Sequence, residues 1–185
     1  MAELKGAAAY LLAAGRGRRA GGPKAWREHE GQSLLARQVG FLTGLLPAAS
    51  VAVSVQDEWL ERCRSLHPDV RWVAVDGDGS PLRSLQALLV EAPVSGWVFL
   101  HHVDMPVWNA RLFHALHQQA EKDFDAVRPR FRGKGGHPLL ISGTCAREIA
   151  GLDGESDRLD YWLKGKTVRE PELDFPEILE NWNQV

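Results

Sequence analysis

A short segment near the start of the chain combines glycine with positive charge. From Leu12 to Lys24 there are four glycines and no acidic residue. Its positive side chains belong to Arg16, Arg18, Arg19 and Lys24. Glycines let backbone amides approach a ligand closely and adopt a positive φ, so that successive amides form a concave anion-binding nest. The segment therefore predicts a phosphate-binding loop, and a solvated basic turn is the alternative.

Two common phosphate-binding motifs do not fit this loop. A Walker loop needs serine or threonine after its lysine, but Ala25 follows Lys24. A dinucleotide-binding motif needs a helix to start at the loop, and Gly21-Gly22-Pro23 prevents this. The loop is therefore predicted to hold phosphate in another way.

A carboxylate follows a later buried strand. Trp97–Leu100 is fully apolar, and Asp104 comes shortly after it, beyond His101 and His102. Mg²⁺ in proteins is held by one or two carboxylates together with substrate phosphates, which suits an aspartate in this position. The alternative for Asp104 is a turn-forming residue.

Two other loops are candidates for substrate contacts. Gly136-His137 ends a basic, glycine-rich turn that can hold a second, phosphorylated substrate or form a plain hairpin. Asp76 and Asp78 precede Ser80, and either can contact a nucleobase or simply form a turn.

Strand-like and helix-like segments alternate along the chain, which predicts βαβ units and an α/β fold with a mostly parallel sheet covered on both faces. Ser33, Asp57, Ser80 and Asn109 are expected to cap helices. Ligands of such sheets bind outside the carboxyl ends of the strands. The predicted strands are Ala8–Ala13, Val51–Val55, Arg71–Val75, Trp97–Leu100, Ala126-Val127 and Leu139–Ile141.

Composition limits the classes of protein. A chain of 185 residues and net charge −2 is expected to form one domain, residues 1–185, that binds neither nucleic acid nor a membrane surface. With two cysteines and no apolar run of about 18 residues, a cytoplasmic protein is expected. The segment after about Gly143 is less periodic, so an appended subdomain there remains open, and the oligomeric state is not predicted.

These motifs together resemble one family. The pattern Leu-Ala-Ala-Gly-x-x-x-Arg-x-Gly-x-x-Lys, here Leu12 to Lys24, is similar to the signature loop of the MobA-like nucleotidyltransferases, with Ala20 in place of the usual methionine. Asp104-Met105-Pro106 resembles the metal-binding motif of that family. Gly135-Gly136-His137-Pro138 resembles the family's Gly-Gly-His-Pro segment, a form more typical of its MocA-like, cytidylyl-transferring branch. The resemblance implies a three-layer Rossmann-like nucleotidyltransferase fold.

The resemblance also implies an activity: transfer of a nucleoside monophosphate, CMP in the favoured case, from an NTP to a phosphorylated acceptor, with release of pyrophosphate. Molybdopterin is the favoured acceptor, CTP the favoured donor and Mg²⁺ the cofactor. The implied catalytic residues are Arg19, Lys24 and Asp104, and the metal ligands are Asp104 and Asn183. The implied nucleotide-binding residues are Leu12, Ala13, Ala14, Gly15, Arg16, Gly17, Gly21, Lys24, Asp76 and Ser80, and the acceptor-binding residues are His102, Gly136 and His137.

Two alternatives to this activity stay open. One is the same fold acting on a sugar phosphate or polyol phosphate. The other is a catalytically silent relative that binds nucleotide without transferring it. Ala20 motivates the second, as does the chain after Asn183, where Gln184-Val185 stand in place of the family's Thr-Pro.

Overall fold

The apolar runs of the sequence form one central sheet. A computed structural model describes residues 4–18 and 21–182. The strands are β1 (Ala7–Leu12), β2 (Glu28–His29), β3 (Gln32–Ser33), β4 (Val51–Gln56), β5 (Arg71–Val75), β6 (Trp97–His102), β7 (Ala126–Val127), β8 (Arg130–Phe131), β9 (Lys134–Gly135), β10 (Leu139–Ile141) and β11 (Val168–Arg169). The α-helices are α1 (Leu34–Leu45), α2 (Leu60–Leu66), α3 (Pro81–Glu91), α4 (Ala110–Gln118), α5 (Gly143–Ala150) and α6 (Leu159–Trp162).

The central sheet has seven strands in the order β11-β7-β10-β6-β1-β4-β5. Strand β1 pairs in parallel with β4 on one side and β6 on the other, and β5 continues the parallel set beyond β4. Strand β10 runs antiparallel to both of its neighbours, β6 and β7. The prediction of a mostly parallel sheet is confirmed. The parallel strands β5, β4, β1 and β6 all end at one edge, so the loops that follow them meet there.

Helices cover both faces of the sheet and give the predicted three layers. On one face, α1 and α4 contribute Leu35, Leu42 and Phe113 to a core that includes Leu11 and Phe99. On the other face, α3 and α5 pack against alternate residues of the same strands. Because both faces are buried, the central strands read as continuous apolar runs rather than as alternating ones.

Three of the four predicted helix caps are present. The hydroxyl of Ser33 accepts a hydrogen bond from the Ala36 amide at 3.2 Å. Ser80 and Asn109 cap α3 and α4 in the same way. The prediction for Asp57 is wrong, because Asp57–Trp59 forms a 3₁₀ turn and Trp59 occupies the N-cap of α2 without a side-chain hydrogen bond.

The segment after Gly143 contributes to the central sheet. Strand β11 pairs in parallel with β7 at the end of the sheet, and Asp125 N–H donates to the Thr167 carbonyl. Within the described part of the chain, no helix is both long enough and apolar enough to cross a membrane.

Candidate active site at the carboxyl edge of the sheet

The glycine-rich loop after β1 takes a backbone path that requires glycine. Gly17 has a φ of +62°, and a Cβ there would lie 1.9 Å from the Gly22 carbonyl oxygen. The Gly22 amide in turn donates to the Gly17 carbonyl at 3.2 Å. The chain therefore closes tightly on itself between these two glycines and returns Lys24 towards the sheet. Arg19 and Ala20 lie outside the described residues.

Lys24 and Asp104 meet although 80 positions separate them. Lys24 Nζ lies 2.5 Å from Asp104 Oδ2, and the two side chains are 19% and 15% exposed. Lys24 begins a short 3₁₀ turn after Pro23, and Asp104 lies two residues beyond the end of β6. Because β1 and β6 are adjacent parallel strands, their following loops converge and bring the cation and the carboxylate together.

A cavity of about 390 Å³, here called the loop cavity, opens beside this pair. One wall is the glycine-rich loop, a second is the start of α3, and the third is the segment after β6. Its lining residues are Leu12, Ala14, Gly15, Gly17, Lys24, Asp76, Gly77, Gly79, Pro81, Ser84, His102, Val103 and Asp104. Most of the predicted nucleotide-binding residues therefore surround one space.

The two described arginines of the loop are held by an acid that follows β5. Arg16 Nε lies 3.1 Å from Asp78 Oδ2, and Arg18 Nη2 lies 2.8 Å from the same oxygen. Asp76 Oδ1 accepts a hydrogen bond from the Asp78 amide at 2.9 Å, which fixes the turn. Asp76 thus acts as a turn former that also lines the loop cavity, and Asp78 ties the basic loop to the base of α3.

Gln56, at the end of β4, links the loop after β1 to the neighbouring strand β4. Its amide donates to the Ala14 carbonyl at 2.8 Å, and its side chain lies against Gly77 so closely that a Cβ there would come within 2.8 Å of it. A cavity of about 460 Å³ adjoins this point and shares Asp76 and Gly77 with the loop cavity. Its other lining residues are Arg16, Gln56, Asp57, Glu58, Ala74 and Val75.

A further cavity of about 470 Å³, here called the leucine cavity, lies on the other side of His102. It shares Leu12, Pro81 and His102 with the loop cavity, so the two spaces meet. Its lining residues are Leu12, Ser80, Pro81, Leu82, Leu85, Leu100, His102, Arg128, Gly135, Gly136, His137, Leu139, Asp157, Arg158, Leu159, Asp160 and Leu163. Leucines form the apolar part of this lining, and the two arginines at its border are each paired with an acid, Arg128 with Glu170 and Arg158 with Asp160.

Two histidines stand between the cavities. The rings of His102 and His137 are 5.6 Å apart and nearly perpendicular. Burial lowers the pKa of His137 to about 4 and also lowers the pKa of His102, against the opposing pull of the Asp104 carboxylate. Both imidazoles are therefore neutral near pH 7. The buried Nδ1 of His137 has no hydrogen-bond partner among the described residues.

Several predicted site residues lie elsewhere than expected. Ala13 lies in the core, since the residue is 1% exposed and its amide donates to the Ser54 carbonyl at 3.0 Å. Ser80 faces the leucine cavity and donates to the Gly154 carbonyl at 2.7 Å. Gly21 is in the loop with a φ of +74° but does not line the loop cavity.

The end of the chain approaches Asp104. The Trp182 amide donates to the Asp104 carbonyl at 2.8 Å, so the C-terminal segment reaches the proposed metal ligand. The predicted ligand Asn183 lies outside the described residues. Sequence reasoning missed Gln56, Arg128 and Arg158, because single polar residues on separate elements have no motif spacing that marks them.

A divalent cation fits this donor set. The described residues contain no group of three His, Cys, Asp or Glu side chains that would form a closed metal site. Asp104 nevertheless supplies a hard carboxylate at the wall of a cavity large enough for phosphates. Mg²⁺ is commonly bound by one or two carboxylates while substrate phosphates and water complete its coordination, and Asp104 is suited to that role.

The sheet order, the glycine-rich loop and the lysine–aspartate pair together define a nucleotidyltransferase-like α/β protein. Residues 9–169 match the model of the MobA-like NTP transferase domain, so the chain belongs to that family. The resemblance drawn from the loop and Asp-Met-Pro motifs is confirmed. A comparison with curated protein sequences gave no significant match.

Solved structures share the fold. Rv0371c from Mycobacterium tuberculosis is 22% identical with a TM-score of 0.74, the alignment covering 96% of this chain and 94% of that one. Its structure in complex with manganese gives 19% identity and a TM-score of 0.70, covering 97% and 95%. Molybdopterin-guanine dinucleotide biosynthesis protein A from Archaeoglobus fulgidus is 18% identical with a TM-score of 0.70, covering 95% and 92%. The bifunctional IspDF from Campylobacter jejuni is 14% identical with a TM-score of 0.79, covering 99% of this chain and 52% of its own.

Proposed function

We propose that this protein transfers a nucleoside monophosphate from an NTP, CTP in the favoured case, to a phosphorylated small molecule. The observation that carries the proposal is the 2.5 Å contact between Lys24 Nζ and Asp104 Oδ2 at the wall of the loop cavity. A cation and a carboxylate side by side, facing a nest of glycine amides, are the groups needed to bind a metal–triphosphate complex.

The proposed reaction uses the two adjoining cavities. A phosphate oxygen of the acceptor, held in the leucine cavity, attacks the α-phosphorus of the NTP in the loop cavity. The bond from the α-phosphorus to the bridging oxygen breaks, and pyrophosphate leaves with the bonding electron pair. An ionised phosphate needs no strong general base, so positioning and charge stabilisation supply the catalysis.

Three of the described groups have a role in this proposed transfer reaction. Lys24 neutralises charge on the triphosphate and on the departing pyrophosphate. Amides of the Gly15–Gly17 turn cradle the phosphates. Asp104 holds a divalent cation, Mg²⁺ in the proposal, which supplies charge stabilisation when bound. Arg19, with Lys24, and Asn183, with Asp104, remain proposed members on the strength of the family motif.

Molybdopterin remains the proposed acceptor on the strength of the family resemblance. Leu82, Leu85 and Leu163 give the leucine cavity an apolar part, and Ser80, Asp157 and Asp160 are among its hydrogen-bonding residues. Such a lining suits a ligand that has an apolar ring face together with polar groups at its edge. We also propose that the chain acts as a single domain in the cytoplasm, which its two free, buried cysteines favour.

The experiment combines binding with turnover. Each of the four NTPs is added with MgCl₂ and thermal unfolding is recorded, since a ligand that binds only the folded state raises its stability by mass action. Pyrophosphate release is then measured with molybdopterin and with a panel of sugar and polyol phosphates. The proposal expects the largest stabilisation by CTP and turnover with molybdopterin. Stabilisation without turnover on any acceptor would favour a silent nucleotide-binding relative, and turnover with a sugar phosphate would replace the acceptor.

A further inference from the structure

A fully buried glutamine lies directly beneath the segment that carries Asp104. Gln38 is in the middle of α1 and is 0% exposed. Its Nε2 lies 2.5 Å from the Met105 carbonyl oxygen and 3.5 Å from the Val103 carbonyl oxygen. These carbonyls belong to the residues on either side of Asp104. One side-chain amide therefore holds the backbone on both flanks of the carboxylate.

The other backbone contacts of this segment leave Gln38 a distinct role. The Val103 amide donates to the Leu12 carbonyl, which joins the segment to β1, and the Asp104 carbonyl accepts from the Trp182 amide. The Met105 carbonyl also accepts from the Val107 amide at 2.8 Å. Through these contacts Gln38 links this turn to α1, and through α1 to the core on that face of the sheet.

Stability alone does not account for a glutamine at this position. Gln38 Oε1 is buried and has no hydrogen-bond partner among the described residues. An unsatisfied buried polar atom is unfavourable, whereas methionine fills a similar volume without one. The Met105 carbonyl would keep the Val107 amide as a partner in that case. What methionine cannot supply is the N–H group that fixes the turn.

We propose that Gln38 is a positioning residue, which sets the backbone of residues 103–105 and thereby the direction of the Asp104 carboxylate towards the bound metal–nucleotide complex. The inference rests on the proposed function, because it assigns Asp104 to the cation. It adds a residue from outside the cavity walls, which acts through Asp104 without touching substrate.

The test compares Gln38→Met with Gln86→Met. Gln86 is a matched control, because its amide also donates to two carbonyls, those of Ile149 and Leu152, but away from both cavities. Thermal stabilisation by CTP is titrated with MnCl₂, and amide hydrogen exchange of residues 103–107 is measured without ligand. We expect Gln38→Met to need about tenfold more Mn²⁺ for half of the stabilisation, a change equivalent to about 1.4 kcal/mol. Exchange should be faster at Met105 and Val107, and Gln86→Met should change neither quantity.

Two further variants separate positioning from folding. Gln38→His keeps an N–H group at similar reach and should restore most of the Mn²⁺ response, whereas Gln38→Asn is one methylene too short and should behave like Gln38→Met. If Gln38→Met does not fold, the comparison of Gln38→His with Gln38→Asn tests the positioning role instead. A wild-type Mn²⁺ midpoint in Gln38→Asn or Gln38→Met, or an equal shift in Gln86→Met, would overturn the inference.

Asp104→Asn distinguishes this failure from failure of the proposed function. If Asp104→Asn loses the Mn²⁺ dependence of stabilisation by CTP while the Gln38 variants keep it unchanged, the positioning role of Gln38 is wrong and the role of Asp104 stands. If Asp104→Asn also behaves like the wild type, Asp104 is not the cation ligand and both proposals fall.

Discussion

At the scale of single residues, the proposed function depends mainly on the contact between Lys24 and Asp104. Each side chain comes from a different loop, and both are largely buried beside the same cavity. The sequence predicts both as separate candidates, because each follows a buried strand. Their pairing depends on β1 and β6 being neighbours, which no motif in either loop states.

Replacing Lys24 by methionine removes the charge and keeps most of the volume. If Lys24 stabilises the leaving pyrophosphate, kcat/KM should fall by about 100-fold or more, since loss of one preorganised donor at a developing charge has an effect of that order. Pyrophosphate release under steady-state conditions measures this. Lys122→Met, at an exposed lysine in the turn after α4, is the matched control and should retain wild-type rates. Activity of Lys24→Met within about twofold of the wild type would remove Lys24 from the mechanism.

His101 gives the protein a pH dependence that is independent of substrate. It is fully buried against Phe113, and burial lowers its pKa to about 3. In the unfolded chain it binds a proton below about pH 6.5, so the unfolded state takes up the proton and folding stability decreases as the pH falls. Between pH 7 and pH 5 this residue should reduce the free energy of unfolding by about 2 kcal/mol.

Urea unfolding of the wild type and of His101→Phe at pH 7 and pH 5 tests this prediction. The variant has no titrating group at this position, so its loss of stability between the two pH values should be smaller by about 2 kcal/mol. Equal losses in the two proteins would mean that His101 is protonated in the folded state as well.

At the scale of elements, the glycine-rich loop is the part whose shape is most constrained. Gly17 has a positive φ and no room for a Cβ, because the Gly22 carbonyl lies there. Gly17→Ala should therefore distort the loop and weaken CTP binding by about tenfold or more, with a lower melting temperature. Isothermal titration with CTP and MgCl₂ measures the affinity.

Gly40→Ala, in α1, is the control for this substitution. Its Cβ would meet nothing within 4 Å, and alanine stabilises a helix interior relative to glycine. It should bind CTP normally and melt at the same or a higher temperature. Normal CTP affinity in Gly17→Ala would show that the loop does not shape the nucleotide site.

Among the strands of the fold, some could be predicted from the sequence and others could not. The long buried strands β1, β4, β5 and β6 were predicted nearly to their ends, because continuous apolar runs mark them. The two-residue strands β2, β3, β8, β9 and β11 were missed, because so short a segment carries no periodicity. Likewise Gln38 and Gln56 act through backbone carbonyls that only the tertiary structure brings within reach.

At the scale of the whole molecule, charge is balanced locally as well as in total. The net charge of −2 gives the chain no overall cationic excess, yet the loop after β1 is strongly basic. In the folded chain Asp78 lies between Arg16 and Arg18, and Asp104 lies against Lys24. These acids come from the loops after β5 and β6, so the topology of the sheet brings them against the basic groups of the loop after β1.

The proposed reaction transfers the α-phosphoryl group of the donor with its nucleoside, and not the γ-phosphoryl group. Incubating the protein and molybdopterin with MgCl₂ and CTP labelled at either the α- or the γ-phosphate tests it most directly. We expect the α-label to become attached to the acceptor and the γ-label to appear only in pyrophosphate, and we expect both Lys24→Met and Asp104→Asn to stop the transfer. Transfer of the γ-label to the acceptor, or unchanged α-transfer in both variants, would contradict the proposed reaction.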